Sequence, residues 1–415
     1  MRKMSDPTLD FVQKTFLQYY TDCFGEIGVV HGFGEREFAA LLMKEKIMVR
    51  HKRFEKSSEL QGFLCSLIPA DVYYSSAHYE QPDAAEMNTK GWLGADLIFD
   101  IDADHIPTSC DKVHDCWTCN KCGFKGKGEL PQKCPACGAE KFDDSTWPCE
   151  KCLTSAKIET IKLLDILLKD FGFSEKEVHV FFSGHRGYHV HIENEAVESL
   201  DAMSRKEIVD YICSLGFDTA LHGLDEKNMK TLDLKDVGWS GRVARGIWNI
   251  ILNSGMEDYQ EMGLKKNTAE AVLKNKDAIL KSLRESRPWS MVKGVGPETY
   301  KRLVDSARKS QSAKVDTVVT TDIHRLIRMP GTLHGKTGLK KLEFPISGMD
   351  DFDPFKSATA FKGDTVRVLV SEAPEFRLGD EEFGPFKNEK VELPTVAALL
   401  LICKKRAKVC DADVR

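Results

Sequence analysis

Apolar residues recur along this chain in two rhythms, and the switches between them mark its elements. Phe11, Val12, Phe16, Leu17 and Tyr20 sit at helical spacing, and the first 90 residues read as mostly helical. Leu97-Ile98-Phe99-Asp100-Ile101-Asp102 reads instead as a strand, whose period of two puts Asp100 and Asp102 on one face. Residues 156–169 return to helical spacing, with a stop at Gly172. Two strands, 178–182 and 188–192, flank the turn Ser183-Gly184-His185-Arg186-Gly187. From about 203 to 313 the chain is charged and helical, as an insertion in a strand-rich core would be. Inside it, Gly294-Val295-Gly296-Pro297 reads as an interhelical turn. A strand is expected at 315–319, then a short helix over 322–328 capped by Thr320 or Thr321, ending before Pro330-Gly331 and the loop 332–338. A strand at 366–370 and an apolar helix near 396–401 complete the pattern. The fold class is therefore α/β, of the α+β kind.

Composition narrows the class of protein. With 415 residues, 42% hydrophobic and 30% charged, the chain can bury a large core and is neither disordered nor membrane-embedded. No stretch approaches the roughly 20 apolar residues that span a bilayer, and the start lacks the apolar core of a signal peptide, so a cytoplasmic location is expected. A net charge of −5 gives no global sign of nucleic acid, which leaves local basic patches. One such run, 50–56, reads as a solvated edge.

Chemistry concentrates in four places. Two carboxylates held side by side raise each other's pKa unless a cation neutralises them, and hard divalent ions take oxygen ligands completed by substrate phosphates. Asp100 and Asp102 therefore point to metal-dependent phosphoryl or nucleotidyl transfer. Asp316 is the expected third carboxylate; Asp322, in the first turn of a short helix, has a sufficient role in the helix dipole. Ser183, Arg186 and His189, around two glycines, supply donors suited to phosphate oxygens. His189 and His191 share a strand face, with His191 read as a paired strand histidine. Arg325 and Arg328 are expected on one side of the short helix, and His334 and Lys336 occupy a glycine-bounded loop suited to a triphosphate.

The cysteines form the most specific motif. Eight of the 13 lie between Cys110 and Cys152, which in a cytosolic chain points to metal rather than disulfides. Cys119-x2-Cys122 and Cys134-x2-Cys137, each followed by a glycine, have the spacing of a tetrahedral zinc ribbon. Cys110, His114, Cys149 and Cys152 would form a second, enclosing site, with Cys116 the rival for His114. Closed cysteine sites of this kind are structural.

Together these residues resemble the small, catalytic subunit of the archaeal and eukaryotic DNA primase, closest to the archaeal form. The matching segments are Phe99 to Asp104, Ser183 to His189, and Val315-Asp316 through His324 to Lys336, with Glu35 to Phe38 and Met48 to Lys52 also similar. The resemblance implies an RRM-like catalytic core over 1–105, 153–202 and 314–348, a zinc-binding module at 106–152, a helical insertion at 203–313 and a peripheral segment at 349–415. It implies a nucleotidyltransferase that makes short primers from nucleoside triphosphates on single-stranded DNA template to start replication. A larger primase subunit would be its partner in a heterodimer, within the replication machinery and away from membranes. Asp100, Asp102 and Asp316 would hold Mg²⁺ or Mn²⁺, and Ser183, Arg186, His189, Arg328, His334 and Lys336 would contact nucleotide phosphates. The common zinc knuckle of the family maps onto Cys110, His114, Cys149 and Cys152. Two departures stand out: His185 replaces what is often a second arginine, and the Cys119–Cys137 ribbon looks like an insertion in the knuckle.

Overall fold

Two four-stranded antiparallel sheets carry the candidate site. They are seen in a computed structural model that describes residues 6–110, 112–219, 231–287, 292 and 295–410. The first sheet runs Leu342–Phe344, Val178–Phe182, Gly187–Ile192, Leu97–Asp102. The second runs Leu326–Arg328, Pro69–Ser75, Phe38–Leu42, Met48–Lys52. Helices accompany them throughout, so the fold is mixed α/β with antiparallel sheets, the class expected from the hydrophobic pattern.

The aspartate strand pairs with Gly187–Ile192 in a register that sets His189 opposite Asp100 and Gly187 opposite Asp102. Gly187 is required there. A Cβ at this position would lie 2.3 Å from the carbonyl oxygen of Ile101 and 3.0 Å from Cα of Asp102. Leu97, Phe99 and Ile101 are buried, while Asp100 and Asp102 are only half-buried, so the two acids share the open face.

Several elements depart from the expected pattern. The first 90 residues are helical at Pro7–Asp22 and Ser57–Leu67 but also contain four strands, Phe38–Leu42, Met48–Lys52, Pro69–Ser75 and Ala77–Tyr79. Pro69–Ser75 is buried on both faces and so shows no period-two alternation. Met48–Lys52 is the polar edge of its sheet, and Arg50 within it bonds the buried Glu37 at 3.0 Å. The expected strand at 315–319 is instead a short helix, Thr317–Thr321, because the Asp316 side chain caps it by accepting from the Val318 N–H at 2.9 Å. The expected helix at 322–328 is absent; Leu326–Arg328 pairs with Ser75, Tyr74 and Tyr73 as a strand. The other elements follow the sequence closely: helix Glu150–Lys169, strand Val178–Phe182, strand Thr365–Ala373 and the buried helix Thr395–Cys403.

The chain divides into two compact units. One comprises Met1–Ile158, Glu175–Arg205 and Val315–Arg415, and contains both sheets, the cysteine-rich segment and the C-terminal segment. The other comprises Glu159–Ser174 and Lys206–Lys314 and is helical. Its core joins helices Gly238–Asn253 and Pro297–Gln311 through Val243, Ile247, Leu303, Val304 and Ala307. Gly246 lets them approach, since a Cβ there would meet Ala307 Cβ at 2.9 Å. Arg242 ties the same helix to Asp165 and Asp170. Residues 220–230 and Gly294, both within the expected insertion, lie outside the described residues.

Two fully buried arginines lock the sheet unit. Arg36 donates to the carbonyls of His31, Ser75 and Ser76 and pairs with Asp96 at 2.9 Å. Arg205 donates to the carbonyls of Ala95 and Asp96. Removing one partner of a buried ion pair leaves the other charge uncompensated, at a cost of about 3 kcal/mol or more. Arg36→Met is accordingly expected to lower the urea midpoint of unfolding by that equivalent, and an unchanged midpoint would show that Asp96 finds another partner.

Candidate active site

Asp100 and Asp102 gain their third carboxylate through the backbone. The Asp316 N–H donates to the Asp100 carbonyl at 2.8 Å, which fixes the start of the 317–321 helix against the aspartate strand. One oxygen of Asp102 accepts from the Asp104 N–H at 2.9 Å as the strand ends. Asp104 itself is past the strand, in the turn Ala103–His105, and pairs with Arg186.

The electrostatics of this trio are unbalanced. Burial, then the charges of Asp102 and Asp316, push the Asp100 carboxyl up to about 7. Asp102 is raised by burial as well, with Arg186 opposing. A carboxyl raised by its two acidic neighbours fits a site for hard cations, which take oxygen ligands. The three do not close on a single point: among the described residues, the sets of ligand atoms within 4.8 Å of one another do not include them. Ions about 3.5–4 Å apart could share such a spread of carboxylates.

Facing the acids is a group of donors with little anionic compensation. His189 lies on the adjacent strand, with Nε2 3.6 Å from Asp100, and among the described residues its buried Nδ1 has no hydrogen-bond partner. Burial, with Lys341, Arg328 and Arg325 nearby, holds His189 well below the usual imidazole range, so it is neutral. The Lys336 N–H donates to His334 Nδ1 at 3.0 Å, which leaves the hydrogen of neutral His334 on Nε2 as a donor. Ser183 is buried in the turn, its Oγ accepting from the His185 N–H at 3.3 Å. Gly184 takes φ +85° in that turn, where its carbonyl accepts from Thr337 Oγ1 at 2.6 Å, which joins the turn to the 332–338 loop. Lys336 is exposed on that loop.

Arg186 and Arg328 sit in the site but are already paired. Arg186 is buried and binds Asp115 at 2.8 Å and Asp104, with Asp102 at 3.9 Å. Arg328 pairs with Asp71 and lies 5.4 Å from the centre of the Tyr73 ring. Asp71 also accepts from the Gly335 N–H at 2.9 Å, so it braces the 332–338 loop. Arg325 and Arg328 do not share a helix face, because no helix forms there. His191 is buried against the Tyr74 hydroxyl and Lys341, as a paired strand histidine. Sequence reasoning missed Asp71, Lys341 and Lys404: Asp71 is a lone acid in an apolar strand, while Lys341 and Lys404 lie in short basic runs, Lys340-Lys341 and Lys404-Lys405-Arg406, that read as surface.

The cysteine segment gathers two metal-ligand sets. Cys110, His114, Cys149 and Cys152 form one, and Cys119, Cys122, Cys134 and Cys137 the other. Ligand atoms within them lie 3.4 Å apart for Cys110 Sγ and His114 Nε2 and 3.6 Å apart for Cys119 Sγ and Cys137 Sγ. These are close to the edge of roughly 3.8 Å that a tetrahedron with 2.3 Å zinc–sulfur bonds requires. Cys116 stands apart, 3.4 Å from the Arg406 guanidinium. Asp115 accepts from His114 Nδ1 at 2.8 Å, the partner that fixes the ring for ligation through Nε2. A third set, His78, Asp96 and Glu198, is a poor cation site, because Arg36 already occupies Asp96.

The raised Asp100 carboxyl makes a prediction with a definite sign. Its folded pKa of about 7 exceeds the unfolded value near 3.9, so the group's stabilising contribution is present at low pH and is lost as pH rises from about 4 to 7. In EDTA, Asp100→Asn should therefore stabilise the chain by about 2–4 kcal/mol at pH 8 and by little at pH 4. Thermal melts at the two pH values check this, and equal melting temperatures at pH 8 would show that Asp100 is not strained.

Comparison with known proteins shows the family to which the chain belongs. A family model described as DNA primase small subunit matches residues 140–345, which include the 183–189 turn, Asp316 and the 332–338 loop. The DNA primase small subunit PriS of Nitrosopumilus maritimus is 31% identical over 409 residues, covering 98% of this chain and 100% of that protein. Those of Cenarchaeum symbiosum and Archaeoglobus fulgidus are 32% and 33% identical, over 97% and 95% of this chain and 98% and 96% of their own lengths. With a likeness that runs through both sheets, the cysteine segment and the C-terminal segment, the chain belongs to the DNA primase small subunit family.

Proposed function

We propose that this chain synthesises short primers on a single-stranded DNA template by nucleotidyl transfer from nucleoside triphosphates, as the catalytic subunit of a heterodimer with a large primase subunit. The observation that carries the reading is the juxtaposition of crowded carboxylates with donors left open to a ligand. The Asp100 carboxyl is crowded by Asp102 and Asp316, while among the described residues no carboxylate lies within ion-pair distance of the exposed Lys336 ammonium and the buried His189 Nδ1 has no hydrogen-bond partner. A divalent cation complexed with a nucleoside triphosphate answers both.

Asp100, Asp102 and Asp316 would hold Mg²⁺ or Mn²⁺, which when bound supplies activation of the primer 3′-hydroxyl and neutralisation of the phosphates. The rest falls to the protein. His334 Nε2–H and the Lys336 ammonium donate to phosphate oxygens, and the charge of Lys336 opposes the negative charge that develops on the leaving pyrophosphate. Ser183 offers its hydroxyl hydrogen and His189 its unpartnered Nδ1 edge to the same ligand. Arg186 keeps Asp102 oriented from the side through its bonds to Asp104 and Asp115, and Arg328 holds Asp71 beneath the loop. Zn²⁺ in the two cysteine sets would hold the 110–152 segment in shape.

In a template-dependent assay, Asp100→Ala and Asp102→Ala should each lower primer yield by at least about 10³-fold while the chain stays folded. Lys336→Ala should raise the nucleotide KM about tenfold with a smaller effect on kcat. Normal yield from either folded aspartate variant would overturn the metal assignment, and an unchanged KM would assign Lys336 to template or solvent. Elemental analysis should find two zinc ions per chain, falling to about one in His114→Ala.

A further inference from the structure

Lys404 is the buried cation that the foregoing account does not use. It caps the C-terminal end of helix Thr395–Cys403, far in sequence from every motif, and is 4% exposed. Its Nζ lies 2.7 Å from Nε2 of His185, in the middle of the 183–187 turn. The same imidazole nitrogen lies 3.1 Å from the Thr146 hydroxyl, and its ring centre is 5.2 Å from that of His334. Lys404 thus arrives where the turn and the 332–338 loop meet.

Its surroundings are those of a group waiting for an anion. Among the described residues, no carboxylate lies within ion-pair distance of its Nζ. The strongest neighbouring charges are of its own sign, Lys336 and Arg186, with the Asp115 carboxylate a weaker opposing influence. Arg186 is committed to Asp104 and Asp115, so it cannot serve as the free cation of the turn. Burial and those cations hold the ammonium down to about 7, near the point where it would shed its proton. A buried amine with a neutral imidazole as partner costs stability, and the bond to His185 and the nearby Asp115 carboxylate offset that cost only in part.

We propose that Lys404, seated through His185, is a further binding residue for the triphosphate of the nucleotide, contributed by the C-terminal segment. The inference rests on the nucleotide site assigned above. An incoming triphosphate supplies the missing negative charge and stabilises the ammonium form, so the group is kept for binding at the expense of apo stability.

The test uses the full chain with ATP and Mg²⁺ as probe, read by equilibrium binding and thermal melts. Lys404→Met is nearly isosteric and removes the uncompensated charge. It should weaken ATP about tenfold while leaving the apo melting temperature unchanged or higher. Lys404→Arg should hold affinity within about threefold, and adding His185→Arg to Lys404→Met should recover most of the loss by returning a cation to the turn. Unchanged ATP affinity in folded Lys404→Met overturns the proposal, as does a loss of affinity matched by a lower apo melting temperature, which marks a structural lysine. If the unsubstituted chain retains no ATP, the nucleotide site itself fails, and this proposal with it.

Discussion

The site depends on one close approach, that of the aspartate strand to the strand beginning at Gly187. Without a side chain at 187 the two backbones pair through the last residue of the aspartate strand, and the register then sets the rest. Asp100 meets His189, Asp102 meets the glycine, and the turn before the glycine is thrown over the acids. Asp316 joins through a single backbone bond to Asp100. Rigid strands hold like charges at short range at an energetic cost, and that cost is what makes the place receptive to cations.

Positive charge in the site is distributed with equal economy. Arg186 and Arg328, the residues a motif reading assigns to phosphate, are each committed to carboxylates and act as braces. The groups left for a ligand are neutral imidazoles, a hydroxyl and two lysines, one exposed and one buried. Neutral donors are less costly to desolvate than cations, so an apo site built from them can stay packed.

What could be read in the sequence was local. Asp100, Asp102, His189 and His191 follow from strand period, and the cysteine ligands follow from spacing, because each signal is contained within a few residues. The 315–328 stretch was misread for the opposite reason. Thr317-Val318-Val319-Thr320-Thr321 has the β-branched composition of a strand, yet the Asp316 cap and the burial of Val319 and Thr320 turn it into a helix. Leu326–Arg328 becomes a strand only because Pro69–Ser75, some 250 residues earlier, offers it an edge. Asp71, Lys341 and Lys404 were invisible for the same reason, since their chemistry comes from neighbours remote in sequence.

Asp115 has a place in two structures at once. It holds the ring of His114 from behind and, with its other contacts, anchors Arg186 beside Asp102. A single carboxylate therefore spans the cysteine cluster and the end of the aspartate strand. A shift of that carboxylate would be felt at both ends, at the His114 ring and at the guanidinium beside Asp102, so the two places are mechanically one.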